Sequence, residues 1–315
     1  MVKRIIKGLL KYPLMLLNRI YTYLYYKKSD KREKYNIDEM FQGEQKVLVL
    51  APHVDDETIG LGATLLKFKK SGTKMALVYM SDGGGSTSSL TRKEIIQLRK
   101  KEGEDIKNSL GFDSLYFLDE PDGQVNSSND ELIDKLISIL NKENPTIIFS
   151  PFLIDGHSDH VETTKSLMRA LGEWNNAFKN IYMYEVNCPI LPKVVNSLSL
   201  IDENLYREKE RLFKKFKSQS VMGFSAFTLL NRMKRLMTDN EYGAEVFVKL
   251  EISSLNKAIE GLELEGFKPE YFRQLSSEYN LLLTFRKGKD LKEKYSLIVN
   301  RVLEEELALK QNIMG

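Results

Sequence analysis

Cysteine is almost missing from this chain. Cys188 is the only one in 315 residues, so no intramolecular disulfide can form and the fold is not disulfide-stapled. Sites built on two or more thiolates are excluded with it, and any metal is expected on His, Asp and Glu. Histidine is nearly as scarce, with only His53, His157 and His160. A large net charge is also lacking: the formal +3 is too small to imply a nucleic-acid partner. No uncharged apolar run approaches the roughly 20 residues of a spanning helix, because Lys11 and Arg19 interrupt the one stretch that comes near.

What charge there is lies unevenly. Residues 1–34 hold ten Lys/Arg and two Asp/Glu, a local +8, which leaves the remainder at −5. Between residues 3 and 28 basic and apolar side chains alternate around Pro13, a residue expected to kink a helix there. Two readings lead for this segment, with a single-pass anchor as a minor third. One is a basic amphipathic helix in peripheral contact with an anionic membrane surface; the other is a helix docked on the protein's own body or on a partner. No small-residue cleavage site follows, which argues against a signal peptide. With the lone cysteine, this fits a cytoplasmic protein, with the inner membrane face as a refinement. Residues 27–34 read as a charged linker.

From residue 45 the chain alternates strand and helix. Short β-branched or apolar runs at 46–51, 75–80, 115–118, 146–150 and 181–186 read as strands. Helical spacing fills the intervals at 57–71, 90–110, 129–141 and 161–171. The rhythm predicts an α/β fold: a Rossmann-like, mostly parallel sheet of order 3-2-1-4-5 with helices on both faces. A further strand is expected at 245–250. The organisation predicted is an N-terminal segment and linker at 1–44, a main domain at 45–250 and a helical appendage at 251–315.

All three histidines fall in two short clusters. Ala51-Pro52-His53-Val54-Asp55-Asp56-Glu57 follows the first strand, and Asp155-Gly156-His157-Ser158-Asp159-His160 follows the fourth. Those strands are neighbours where the sheet order reverses, the crevice in which open α/β sheets bind ligands. His53 and Asp56 are three residues apart at a helix start, which puts both on one side. With His160 they can supply two imidazoles and a carboxylate, leaving a fourth position for water. Asp55 then projects differently and can stand beside that water as a base. His157 can face the substrate, with Asp159 available to fix its tautomer. Gly83-Gly84-Gly85-Ser86 lacks the Lys-Ser/Thr of a phosphate loop, and Gly60-Leu61-Gly62 lacks the third glycine of a dinucleotide fingerprint. Both are read as steric features, a mobile loop that could flank substrate and a close helix–sheet approach.

The segment APHVDDETIGLGATL resembles the (A)HPDDE motif of the PIG-L/LmbE-like de-N-acetylases, and DGHSDH resembles that family's HPDH motif. FLDEPDG at 117–123, Lys217-Ser218-Gln219 and YGAEVF at 242–247 extend the resemblance over roughly residues 45–250. It implies zinc-dependent removal of an N-acyl group, usually acetyl from an N-acetylglucosamine unit. One Zn2+ per chain is implied, with another divalent ion such as Fe2+ as the alternative. By position, His53, Asp56 and His160 would hold the metal and Asp55 would be the general base. His157, held protonated by Asp159, would be the acid or oxyanion-stabilising cation. Arg99, in an R-x-x-E with Glu102, would grip the substrate. Val54 and Ser158 replace the two motif prolines, and Asp155 stands where some members place a tyrosine. The expected substrate is a small or lipid-linked N-acetylated sugar, such as a cell-envelope precursor. An amidase for another amide, such as a thiol conjugate, and a non-catalytic sugar-binding protein are the alternatives.

Overall fold

A computed structural model of the chain describes residues 2–29, 35–86, 90–175, 177–219, 222–238 and 242–314, with side chains described from 12 to 311. Residues 30–34 of the expected linker and 87–89 of the glycine-rich loop lie outside the described residues. The chain begins with α1 (Val2–Lys27), β1 (Asn36–Ile37), β2 (Lys46–Ala51), α2 (Asp56–Lys70) and β3 (Lys74–Ser81). It continues through α3 (Arg92–Leu110), β4 (Ser114–Glu120), α4 (Asp130–Glu143), β5 (Ile147–Pro151), α5 (Ser158–Trp174) and β6 (Ile181–Tyr184). Then come β7 (Ser197–Ile201), α6 (Glu203–Phe213), α7 (Ser225–Met233), β8 (Gly243–Leu250), α8 (Ile252–Leu264), α9 (Leu281–Arg286) and α10 (Lys289–Met314).

The described strands form one eight-stranded sheet of order β1-β7-β8-β6-β5-β2-β3-β4. The five strands expected from the alternation keep the expected order, β4-β3-β2-β5-β6, all parallel. The sheet does not stop there. β8 joins β6 antiparallel, β7 joins β8 antiparallel, and β1 adds two residues parallel to β7. These extra strands explain why the pattern loosens after residue 194. β7 is five residues of SLSLI, four of them buried, and β1 is only two residues long.

Helix boundaries follow local chemistry. Thr91 and Glu94 form a reciprocal capping box at the start of α3, and Gly111 closes it in the left-handed conformation. α2 is different. Gly60 lies so close to β6 that a Cβ there would sit 2.1 Å from Tyr184 Cδ2. At Leu61 the backbone leaves helical geometry. The broken ladder is repaired from outside: the Glu245 carboxylate accepts from Ala63 N (2.9 Å) and Thr64 N (2.8 Å). Lys209 donates to Ile59 O (2.8 Å) and to Glu245 (2.6 Å). This fully buried ion pair ties α2, α6 and β8 together and fixes the helix that begins at the site.

α1 docks on the body through its C-terminal half, where Tyr21, Tyr25 and Tyr26 surround Phe285 of α9. Among the described residues no helix is long and apolar enough to cross a membrane. α8 packs on α5, and α10 on α8, so the C-terminal helices reach the sheet's layers through α5.

Candidate active site

β2 and β5 are hydrogen-bonded neighbours, and the two histidine clusters leave their carboxyl ends together. His53, Asp55 and Asp56 come from the turn into α2; His157, Asp159 and His160 from the turn into α5. The ring centroids of His53 and His157 are 4.7 Å apart, those of His157 and His160 5.1 Å and those of His53 and His160 5.5 Å. With Ser86, Arg99, Asp122, Asn187, Gln219 and the 274–276 segment they line a cavity of about 230 Å³. Wider clefts elsewhere, of about 440 and 660 Å³, bring together no comparable set of ligand atoms among the described residues.

One oxygen organises the cluster. Asp56 Oδ2 accepts from His53 N at 2.9 Å and lies 3.2 Å from His53 Nδ1 and 3.4 Å from His160 Nε2. A tetrahedral ion with bonds of roughly 2.0–2.1 Å needs ligand atoms about 3.3 Å apart, so these spacings fit. The remaining nitrogens are backed by carboxylates. His53 Nε2 meets Asp159 Oδ2 at 3.2 Å and Asp122 Oδ1 at 3.3 Å; His160 Nδ1 meets Asp155 Oδ1 at 3.1 Å. Metal-ligating imidazoles characteristically carry such a carboxylate behind them. Both ring nitrogens of His160 are buried and lack a well-aligned hydrogen bond, as does Asp55 Oδ2. Orphaned buried donors and acceptors at one point are what an ion would satisfy.

Charge says the same. Burial opposes the charged form of His160, yet Asp56 and Asp155 push it up to about 10. Burial also opposes His53, but hydrogen bonds to Asp122, Asp159 and Asp56 raise it well above its ordinary value. Asp56 would be raised by burial, and His160 and His53 hold it well below the usual carboxylate range. The pocket therefore demands positive charge. A second set, His53, Asp122, His157 and Asp159, also lies within reach of a common point. Its Asp159 oxygens are already engaged by Gly123 N (2.8 Å) and Val125 N (3.2 Å), and His157 Nδ1 accepts from Asp159 N (3.2 Å). In the set built on His53, Asp56 and His160, by contrast, His160 Nε2 is buried without a hydrogen-bond partner.

Asp55 caps α2 with φ 146°, a left-handed backbone that a side chain seldom adopts. Burial raises its carboxyl to about 8 despite Arg99, and Asp56 and Glu57 add to the rise. Arg99 lines the cavity from a deeply buried position. It is 1% exposed, donates to Val54 O at 2.8 Å and lies 3.5 Å from Asp55 Oδ1. Gly83 is fitted against it, since a Cβ there would meet Arg99 Nε at 2.4 Å. Arg99 thus braces the Asp55 turn. Glu102, its R-x-x-E partner, instead takes Ser218 N (2.8 Å) and Ser218 Oγ (2.6 Å).

One correction concerns Asp159. Its carboxylate serves His53, and only its main-chain N–H meets His157. Because Nδ1 accepts that N–H, the neutral imidazole carries its proton on Nε2. Burial, with the positive charges of His53 and His160, lowers His157 to about 4. Burial pushes the Cys188 thiol up to about 12, which disfavours its thiolate. Two residues that the motifs left without a role, Asp122 and Asp155, stand behind His53 and His160.

Residues 48–171 match the family model described as "PIG-L: GlcNAc-PI de-N-acetylase", and every histidine and carboxylate named above as a ligand or its support falls inside that span. The segment that carries the site is therefore similar to the PIG-L family. Diacetylchitobiose deacetylase of Thermococcus kodakarensis is 30% identical over 131 residues, 40% of this chain and 49% of that protein. Probable N-acetyl-alpha-D-glucosaminyl L-malate deacetylase 2 of Bacillus cereus is 29% identical over 135 residues, 41% of this chain and 61% of that protein. The chain thus spans about half to three-fifths of the length of these curated relatives. Among solved structures, N,N'-diacetylchitobiose deacetylase from Pyrococcus horikoshii, complexed with its inhibitor MPG, matches with a TM-score of 0.57 at 23% identity. That match covers 67% of this chain and 86% of the other, and it establishes the α/β fold. The PIG-L match ends at residue 171, short of the 250 expected from the motifs. Asn187, Gln219 and the 274–276 rim lie beyond it.

Proposed function

We propose that the chain is a divalent-metal hydrolase that removes the N-acetyl group from an N-acetylglucosamine-type glycoconjugate, releasing acetate and a free amine. The observation that carries the reading is the meeting of His53 Nδ1, Asp56 Oδ2 and His160 Nε2 beside the unpartnered Asp55 Oδ2. His53, Asp56 and His160 would hold Zn2+, with Fe2+ as the alternative ion. When bound, such an ion lowers the pKa of a water and polarises an amide carbonyl. Asp55 takes the proton of the attacking water at Oδ2 and passes it to the departing amine nitrogen. The His157 Nε2–H donates a hydrogen bond to the carbonyl oxygen as it gains negative charge. Asp159, through His53, and Asp155, through His160, orient the ligands.

The cavity suits the sugar end of such a molecule. Its rim offers hydroxyls and amides from Ser86, Asn187, Gln219, Gln274 and Ser276, groups that match a polyhydroxyl ring. At about 230 Å³ it is smaller than the roughly 300–1,000 Å³ of a site that swallows a whole ligand. It therefore receives the reacting sugar and leaves a lipid or envelope-precursor remainder outside. We assign catalysis to residues 45–250, with 251–315 contributing Gln274 and Ser276 to the rim.

The test is an acetate-release screen across N-acetylglucosamine conjugates, soluble and lipid-linked, before and after chelation and with zinc or Fe2+ restored. Release that disappears on chelation and returns with the ion is expected. Undiminished release from a fully metal-stripped preparation would overturn the metal role. Hydrolysis of another amide with none of any N-acetylated sugar would overturn the substrate class.

A further inference from the structure

Seven of the sixteen large hydrophobic side chains exposed among the described residues lie on α1, between Tyr12 and Leu24. Their arrangement departs from ordinary amphipathicity. The face of α1 packed on the body carries Asn18, Thr22 and Tyr26, all buried. At about 100° per residue, Leu16, Ile20 and Leu24 project from the opposite side, and they are 60%, 48% and 46% exposed, with Leu17 beside them at 50%. A surface helix in water turns its apolar stripe inward and its polar face outward; this helix packs three tyrosines inward beside Asn18 and Thr22 and still carries a second apolar stripe on its outer side. Neighbouring α9 adds Leu283, 50% exposed, and the exposed cations Arg286 and Lys287 follow.

Charge selects the occupant. Residues 1–34 carry ten Lys/Arg against two Asp/Glu, so a second copy would set +8 against +8. An apolar stripe on a strongly basic segment instead suits anionic headgroups above acyl chains. No described helix is long and apolar enough to cross, so the element would lie in the interface. We propose that α1 docks flat on an anionic membrane surface through its outward Leu16, Leu17, Ile20 and Leu24 face.

The same helix is fastened to the rim of the catalytic cavity. The Asn18 amide donates to Glu278 O, Asn18 Oδ1 accepts from Leu282 N at 3.3 Å, and Arg19 pairs with the Glu278 carboxylate at 3.1 Å. Just before Glu278, Gln274 donates to Gly156 O (2.9 Å), Leu275 N donates to Asn187 O (2.8 Å), and Ser276 O accepts from Gly223 N (2.7 Å). One short strap therefore joins the docking helix to residues that line the site. The docking itself is independent of the reaction proposed above, and its failure would leave that reaction standing.

Flotation of the full chain with phosphatidylcholine vesicles, with and without phosphatidylserine, tests the proposal. The chain should float with the anionic vesicles and lose binding as salt is raised. Leu16→Glu with Ile20→Glu should reduce the bound fraction at least about tenfold while melting as the wild type does. Wild-type protein that floats with neither vesicle, or a double variant that floats undiminished, overturns the proposal. So does a wild-type dimer by light scattering that the double variant converts to monomer while neither floats.

Discussion

Asp155→Asn isolates the support behind one ligand histidine. Asp155 Oδ1 accepts from His157 N at 3.0 Å and faces His160 Nδ1 at 3.1 Å; Oδ2 accepts from Asn187 N at 3.0 Å and Cys188 N at 3.2 Å. Four N–H directions converge on two oxygens. An amide supplies one oxygen and one NH2, so whichever way it is turned two buried donors lose their acceptor. At about 1–3 kcal/mol each, the native fold should lose roughly 2–6 kcal/mol. If the amide oxygen stays on His160 Nδ1, that imidazole loses its anionic partner, and metal affinity should fall about 10–100-fold. Urea unfolding reads the first quantity, and competition with a chromophoric chelator on the folded variant reads the second. Glu245→Ala is the control, since it also destabilises but sits behind the kink of α2. If Asp155→Asn competes with the chelator as well as wild type, the support assigned to Asp155 is wrong.

Asp55→Asn should retain its metal and lose about 10²–10⁴-fold in turnover; full activity in a metal-replete sample would remove it as the base. Glu245→Ala strands the buried Lys209 ammonium and two backbone donors of α2, and should cost about 3–5 kcal/mol in urea unfolding; a loss under about 1 kcal/mol would contradict the repaired-kink account. Metal uptake near pH 7 should release protons, because His160, raised to about 10, and His53, raised well above its ordinary value, are protonated when no cation faces them. Apparent affinity should then rise with pH, and calorimetry in buffers of different ionisation enthalpy would show no proton release if those histidines were neutral. By the same sign, the raised His160 stabilises the metal-free fold fully below pH about 6.5 and loses that contribution towards pH 10.

The sheet centre and the histidine clusters were legible because each has a short-range signature: buried runs for the parallel strands, and two motifs at strand ends. β1 and β7 escaped because two residues and a Ser-Leu alternation of five carry too little periodicity to stand out. Asp122 and Asp155 were visible as letters, but their task depends on which imidazole nitrogen they face. That is a three-dimensional fact: Asp122 reaches His53 across sixty-nine positions of chain. Arg99 and Asp159 elude a sequence reading for the same reason. Sequence placed each beside the right neighbourhood, and the rotamers sent Arg99 to Val54 O and Asp55, and the Asp159 carboxylate to His53 instead of His157. The rim residues Gln274 and Ser276 had no signature at all, since they belong to a strap between helices far beyond the histidine motifs.

The backbone at Asp55 offers a way to ask whether the site is strained for its chemistry. A non-glycine residue held at φ 146° costs of order 1–3 kcal/mol unless its surroundings impose it. Here Ile59 N donates to Asp55 O at 2.8 Å, Asp55 N donates to Glu57 Oε2 at 3.2 Å, and Arg99 pins Val54 O from behind. Replacing Asp55 by Ala or by Gly deletes the same carboxylate and the same contact with Arg99, so comparing the two variants cancels those losses. At an ordinary position Gly is the less stable by about 0.5–1 kcal/mol, from backbone entropy. At this one the relief of strain exceeds that entropy, and Asp55→Gly should be the more stable by about 0.5–2 kcal/mol, with both variants inactive. If Asp55→Ala proves equal or better in urea unfolding, the turn is relaxed, and its unusual φ is not a cost the fold bears to aim the carboxylate at the cavity.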